Sequence, residues 1–194
     1  MRLNLRSMML AVAGVFLLGS GPPLASQSLS IATPGKDKMS MLLSERAYTL
    51  LLEIQKEAVG LRDHAETLSA IARNYQHSWQ SHAHHLDSIK GHINAVGERT
   101  AELQRIQPSV LPWQQQAITE VTSHATQVAA STQAAILQLN ESRSSVYLPE
   151  YRDHVTTIAD RSTNMKQAVD KFLAYQKTHQ KMQQLEVELE LSGD

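Results

Sequence analysis

The sequence predicts an all-α fold, an elongated, antiparallel, up-and-down bundle of four helices. Apolar residues recur at alternating steps of three and four along most of the 194 residues, which is the spacing that lines one face of a packed helix. Aromatic residues make up only 5% of the chain, with 8 Gly and 6 Pro, a composition that does not favour a β-sheet protein. Prolines stand where the apolar pattern is interrupted, so the interruptions separate helices.

The first 26 residues have the pattern of a secretory signal peptide. Arg2 and Arg6 precede an apolar run over residues 8–18, and small residues and helix breakers follow it (GSGPPLAS). The run is about half of the roughly 20 residues that a membrane-spanning helix needs. We therefore expect an exported protein, periplasmic or secreted, with no membrane span once the signal is removed. Residues 27–39 are predicted to be a flexible leader.

The helical bundle is predicted over residues 40–190, followed by a tail at 191–194. Pro112 and Pro149 suit the first position of a helix, where the missing N–H would be unpaired in any case. The predicted helices cover about 40–74, 78–106, 112–140 and 149–190. Their predicted buried seams are Leu51, Ile54, Ala58, Leu61, Ala65, Leu68, Ala72, Tyr75 and Trp79; His82, Leu86, Ile89, Ile93, Val96, Thr100 and Leu103; Ile118, Val121, Ala125, Val128, Thr132, Ala135 and Leu139; and Tyr151, Val155, Ile158, Ser162, Met165, Val169, Phe172, Gln176 and His179, with Met182, Leu185 and Leu189 continuing the last one.

Two architectures are possible at residues 74–78, because the apolar spacing continues through this segment and the segment contains no Gly or Pro. A turn there gives four helices. A continuous helix gives three, the first very long, and requires a dimer. In a monomer with the long helix, the seam from Leu51 to Ala72 would face water, which forfeits roughly 1.5–3 kcal/mol for each large apolar side chain. The four-helix bundle is therefore the prediction, and the three-helix dimer is the alternative.

Composition excludes several functional classes. The chain has 18 Lys and Arg against 19 Asp and Glu, a net charge of −1, so nucleic acid and anionic membranes are not expected as main partners. It has no cysteine, which excludes disulfides, cysteine zinc sites and thiol catalysis. It shows no nucleophile–histidine–carboxylate pattern and no phosphate-binding loop. We expect no enzyme, but a protein-interaction or structural module of the cell envelope that binds a protein partner or itself.

Histidine is the one unusual residue type, with nine in the chain and five of them between residues 77 and 92. His82 and His85 have the spacing that shares a helix face. In an up-and-down bundle the second and fourth helices start at the same end, which would bring His154 and Glu150 to these two. Such a set would suit zinc, copper or nickel, so transition-metal binding or sensing is the alternative function. The ordinary interpretation is that these histidines cap helices, pair with neighbours or face water.

Trp79 and Trp113 each lie just inside a predicted helix start. A tryptophan in that position is either an interaction residue at the end of the bundle or an aromatic plug that closes it.

Three segments carry a family resemblance: residues 78–83 (SWQSHA), 92–94 (HIN) and 112–118 (PWQQQAI). With residues 149–152 (PEYR), they resemble segments of a group of uncharacterised exported bacterial proteins. The resemblance covers about residues 45 to 180. It implies a bacterial, extracytoplasmic helical protein, and no activity is attached to the group, so it assigns no functional residue.

Overall fold

A computed structural model describes residues 34–74 and 77–192, and four α-helices account for most of these described residues. The described part contains no strand, which confirms the predicted all-α class with four helices. Short 3-10 turns at Gln107–Ser109 and Arg143–Tyr147 make the second and third connections. The helices are α1 (Pro34–Ala72), α2 (Trp79–Ile106), α3 (Pro112–Glu141) and α4 (Pro149–Ser192).

The helices are arranged up and down. Each one packs against the next in the sequence, and α4 closes the bundle against α1. The helices α2 and α4 therefore begin at the same end of the bundle, which we call the upper end. The helices α1 and α3 begin at the opposite, lower end. This arrangement determines which residues of distant helices can meet.

The core consists of the seams that the apolar spacing predicts. All seam positions of α2 and α3 are buried, as are those of α1 from Leu51 to Ala72 and those of α4 from Tyr151 to Phe172. Gln176 and His179, further along α4, are half-buried, and Tyr75 lies outside the described residues. A seam with steps of three and four keeps one stripe of each helix facing its neighbours, so nearly parallel and antiparallel helices can share a single core.

The chain reverses between α1 and α2, which confirms the predicted four helices and not the three-helix alternative. The helix α1 ends at Ala72, and Ser78 precedes α2 in an extended backbone conformation. The Asn74 N–H donates to the Ile71 carbonyl at 3.0 Å, a tightened last turn typical of a helix end. The reversal lays α2 along α1 and covers the seam that a continuous helix would expose.

The boundaries of the bundle differ from the prediction at the start of α1. This helix begins at Pro34, so residues 34–39 of the predicted leader are helical. The reason is the one that applies to Pro112 and Pro149, because proline is well suited to open a helix. Similarly, α4 continues through Ser192, two residues into the predicted tail. The predicted signal peptide lies outside the described residues.

At the lower end, α4 extends beyond the start of α3. It has 44 residues, whereas α3 has 30, and Tyr175 of α4 already lies beside Trp113 in the first turn of α3, with ring centres 5.4 Å apart. Every residue from 180 to 190 is exposed. We call residues 180–190 the α4 end segment. Nowhere along the described helices is there a stretch with the length and apolarity needed to cross a bilayer.

Candidate functional site

His82 belongs to the core and pairs with a tyrosine of α4. Its side chain is 2% exposed, and its Nδ1 lies 3.1 Å from the hydroxyl oxygen of Tyr151, which is 0% exposed. Burial is the main cause that lowers the pKa of His82 to about 4, and His77 and His85 contribute. Burial also raises the pKa of Tyr151. The pair is therefore neutral at pH 7, and its hydrogen bond joins α2 to α4 inside the upper half of the bundle.

A cluster of four histidines lies where α1 and α2 pack together. We call it the histidine cluster, and it comprises His64 of α1 with His84, His85 and His92 of α2. The Nδ1 atoms of His64 and His85 are 3.2 Å apart. The ring centres of His64, His84 and His85 form a triangle with sides of 5.3, 5.4 and 6.3 Å, and the ring of His92 is 5.8 Å from that of His64.

Two imidazoles of this cluster, those of His64 and His85, have lowered pKa values. Burial is the first cause that lowers the pKa of His64, and His92 and His84 lower it further. The pKa of His85 is lowered by burial, then by His64 and His84. A second cation close to a first is unfavourable, so protonating one ring disfavours protonating the next.

His92 closes the cluster on its lower side through two contacts with α1. Its Nδ1 lies 2.9 Å from Oε2 of Glu57, which orients the ring. The ring also rests against Gly60, where an added Cβ would come within 2.6 Å of Nε2 and Cε1. The absence of a side chain at Gly60 is therefore what lets His92 reach α1.

The four residues predicted as metal ligands do not form one group. His82 is bound to Tyr151, and His85 faces His64. His154 is half-buried and Glu150 is exposed, both in the first turns of α4. No group of three or more His, Asp or Glu side chains within residues 34–74 and 77–192 is arranged to hold a metal ion, and that includes this set. The sequence interpretation missed His64, which comes from the α1 side of the hairpin.

The two tryptophans pack partly against the core at opposite ends of the bundle. The guanidinium of Arg143 lies 4.3 Å from the ring centre of Trp79 at the upper end, a distance suited to a cation–π interaction. Trp113 contacts Tyr175 at the lower end with the two rings tilted by 55°. The ring centres of Tyr175 and His179 are 6.1 Å apart. Trp113 thus lies where α4 leaves the bundle.

The α4 end segment carries an apolar stripe that the bundle does not cover. Met182, Leu185 and Leu189 follow the spacing of three and four, and they are 55%, 48% and 71% exposed. Val187 is also exposed, but the helix period places it on the opposite face of α4, outside the stripe. Charged residues flank the stripe, with Lys181 near its start and Glu186, Glu188 and Glu190 towards its end. This is the largest run of exposed apolar side chains on the described part of α4.

Three shallow clefts lie on the described surface. One lies between α1 and α4, and each of the other two lies along a single helix. Substrate pockets usually enclose most of their ligand, which a cleft along one helix does not do. Comparisons of the chain with protein-family models, with curated proteins and with solved structures give no match.

Proposed function

We propose that this chain is an exported, non-enzymatic helical bundle that acts through protein–protein contacts, and that its first contact is with a second copy of itself through the α4 end segment. The supporting observation is the apolar stripe of Met182, Leu185 and Leu189 on a helix with every residue from 180 to 190 exposed. Isolated helices shorter than about 12–15 residues are marginal in water. A partner that covers the stripe supplies the packing that this segment otherwise lacks.

The charges beside the stripe favour an antiparallel pair of identical segments. If the two copies cross between Met182 and Leu185, Lys181 of each copy faces Glu188 of the other. Symmetry makes this contact twice, and opposite charges at flanking positions of paired helices set their orientation. The segment is short, so the interface is at the small end for specific complexes, and we expect a dissociation constant on the order of micromolar.

Light scattering of the purified, tag-free protein over a range of concentrations tests the proposal. We expect a dimer that dissociates on dilution. Leu185→Glu places a charge in the stripe and should leave a monomer whose four-helix core stays folded. The matched control is Leu137→Glu, which changes a leucine on α3 that is 40% exposed and should keep the dimer. A protein that stays monomeric at high concentration contradicts self-association.

A charge exchange tests the orientation. Lys181→Glu alone should weaken the dimer, because it sets two carboxylates against each other. Adding Glu188→Lys should restore it in an antiparallel pair. In a parallel pair Lys181 would instead lie near Glu186 of the other copy, and the double variant would stay weak. Failure of the second change to restore association would refute the antiparallel arrangement.

Export is the second part of the proposal. It is supported by the charge, apolar run and small-residue pattern of residues 1–26, and by the resemblance of segments 78–83 and 112–118 to exported bacterial proteins. Fractionation of producing cells, followed by intact-mass measurement, should recover a chain that begins near residue 26 outside the cytoplasm. Recovery of the whole chain from the cytosol contradicts export.

A further inference from the structure

We propose that His64, His84 and His85 form a transition-metal site on the α1–α2 face, with His64 and His85 as the two ligands already in place. The site is distinct from the α4 end segment and does not depend on the proposed dimer. It uses residues of both α1 and α2, the helices before and after the first chain reversal. That origin from two helices explains why spacing within a single helix does not reveal it.

The distance between the two Nδ1 atoms carries the proposal. They are 3.2 Å apart, and two nitrogens bound to one tetrahedral Zn²⁺ are about 3.3 Å apart, given metal–nitrogen bonds of 2.0–2.1 Å. The ring centres of His64 and His85 are 5.4 Å apart, which is near the value of about 5 Å that the same bond lengths require. The pair can accept an ion between its rings without moving either helix.

His84 supplies the third ligand by rotation of its side chain. Its ring centre is 5.3 Å from that of His85 and 6.3 Å from that of His64. The residue is exposed, so its ring is free to turn towards the pair. In its present position His84 does not complete a three-ligand group, in agreement with the absence of such a group among the described residues.

The chemistry of the donors selects the class of ion. Neutral imidazoles suit zinc, copper and nickel, whereas magnesium and calcium prefer oxygen ligands. Three protein ligands leave one position of a tetrahedral ion open to water or to a further ligand.

Calorimetric titration of the tag-free, chelator-stripped protein with zinc chloride, and in parallel with magnesium chloride, tests the site. We expect one zinc ion per chain, no magnesium binding, and a midpoint of thermal unfolding that rises with zinc concentration. H64Q and H85Q should each weaken zinc binding by at least the roughly 10–100-fold that loss of a supporting partner costs at metal sites. H84Q changes an exposed residue, and because it cannot disturb the core it keeps the test valid if the other variants fold poorly.

H154Q is the matched control, since it removes a half-buried histidine outside the cluster and should leave zinc affinity unchanged. Wild-type affinity weaker than millimolar overturns the proposal. Unchanged affinity in H64Q, H85Q and H84Q also overturns it, as does equal loss in H154Q, because the binding is then not in this cluster. Titration of the Leu185→Glu variant separates this outcome from that of the dimer: one zinc per chain in a monomer supports the site whether or not the chain self-associates.

Discussion

At the scale of single residues, polar side chains in the core of the bundle lower its free energy of unfolding. His82 fills a seam position that the spacing assigns to an apolar side chain, and its Nδ1 hydrogen-bonds with the Tyr151 hydroxyl. Thr132 occupies the corresponding seam of α3 with a buried hydroxyl that has no partner among the described residues. A buried polar group loses its hydration, so the free energy of unfolding depends on whether the group is protonated and whether it has a hydrogen-bond partner.

The pKa of His82 predicts a stability that falls in acid. The folded protein holds this histidine neutral with a pKa of about 4, whereas an unfolded chain binds the proton near 6.5. Below about pH 6.5 the unfolded state therefore binds more protons, and it is favoured increasingly until the pH reaches about 4. We expect His82 to account for a loss of about 2–3 kcal/mol between about pH 7.5 and pH 4.5.

Urea unfolding at both pH values, in buffer with EDTA, measures this contribution as a difference between variants. His82→Gln can still hydrogen-bond to Tyr151 and should flatten the pH dependence by about the predicted amount. His154→Gln, which changes a half-buried histidine outside the core, should not. An equal slope in wild type and in His82→Gln would show that other groups cause the acid sensitivity.

Thr132→Val should stabilise the protein. Valine has nearly the shape of threonine and removes the unpartnered hydroxyl, whose burial costs about 1–3 kcal/mol. We expect the free energy of unfolding in urea to rise by about 1 kcal/mol, with an unchanged denaturant slope. The control is Thr157→Val, because the Thr157 hydroxyl donates to the Asp153 carbonyl at 2.9 Å. A loss of stability in Thr132→Val would mean that the hydroxyl has a partner in solution.

At the scale of helices, a ladder of polar contacts accompanies the apolar seam between α1 and α2. Arg46 makes two hydrogen bonds to Glu102, at 2.7 and 2.9 Å, and Arg99 reaches Glu53 at 3.2 Å. Pairs this exposed contribute little to stability. They are nonetheless consistent with one antiparallel register, and the same register places His64 opposite His85.

The helix α4 has one part that packs in the bundle and one part, residues 180–190, that is exposed. A proline substitution should affect stability differently in the two parts. Gln183→Pro breaks the helix within the α4 end segment, where every residue is exposed. The unfolding midpoint of the bundle should therefore stay the same, whereas the helicity of this segment and the dimer should be lost. Asp160→Pro, at an exposed position beside the core, should cost about 3 kcal/mol or more. Circular dichroism during thermal unfolding measures both. A large fall in the midpoint for Gln183→Pro would mean that this segment packs on the bundle.

At the scale of the whole molecule, one contiguous core joins all four helices. Its members are mostly Leu, Ile, Val and Ala, and the alanines let the helices approach closely without filling much volume. Unfolding should therefore be a single cooperative transition, because no helix has a core of its own.

Adjacent leucines of α1 test how far stability depends on that core. Leu51 is 0% exposed and Leu52 is 40% exposed. Leu51→Ala should lower the free energy of unfolding in urea by about 2–5 kcal/mol, through lost burial and the cavity left behind. Leu52→Ala should lower it by less than about 1 kcal/mol. Similar losses for the two variants would mean that the seam does not divide inside from outside as described.

The sequence by itself determined the helical class, the four segments and the buried stripe of each, because steps of three and four are a local property of the helix period. The tertiary structure decided that the chain turns between Ala72 and Trp79, and which histidines meet. His82 and His85 share a helix face in the sequence pattern, yet their partners are Tyr151 and His64, on different helices. Those pairings depend on register between helices, which spacing along one helix does not contain.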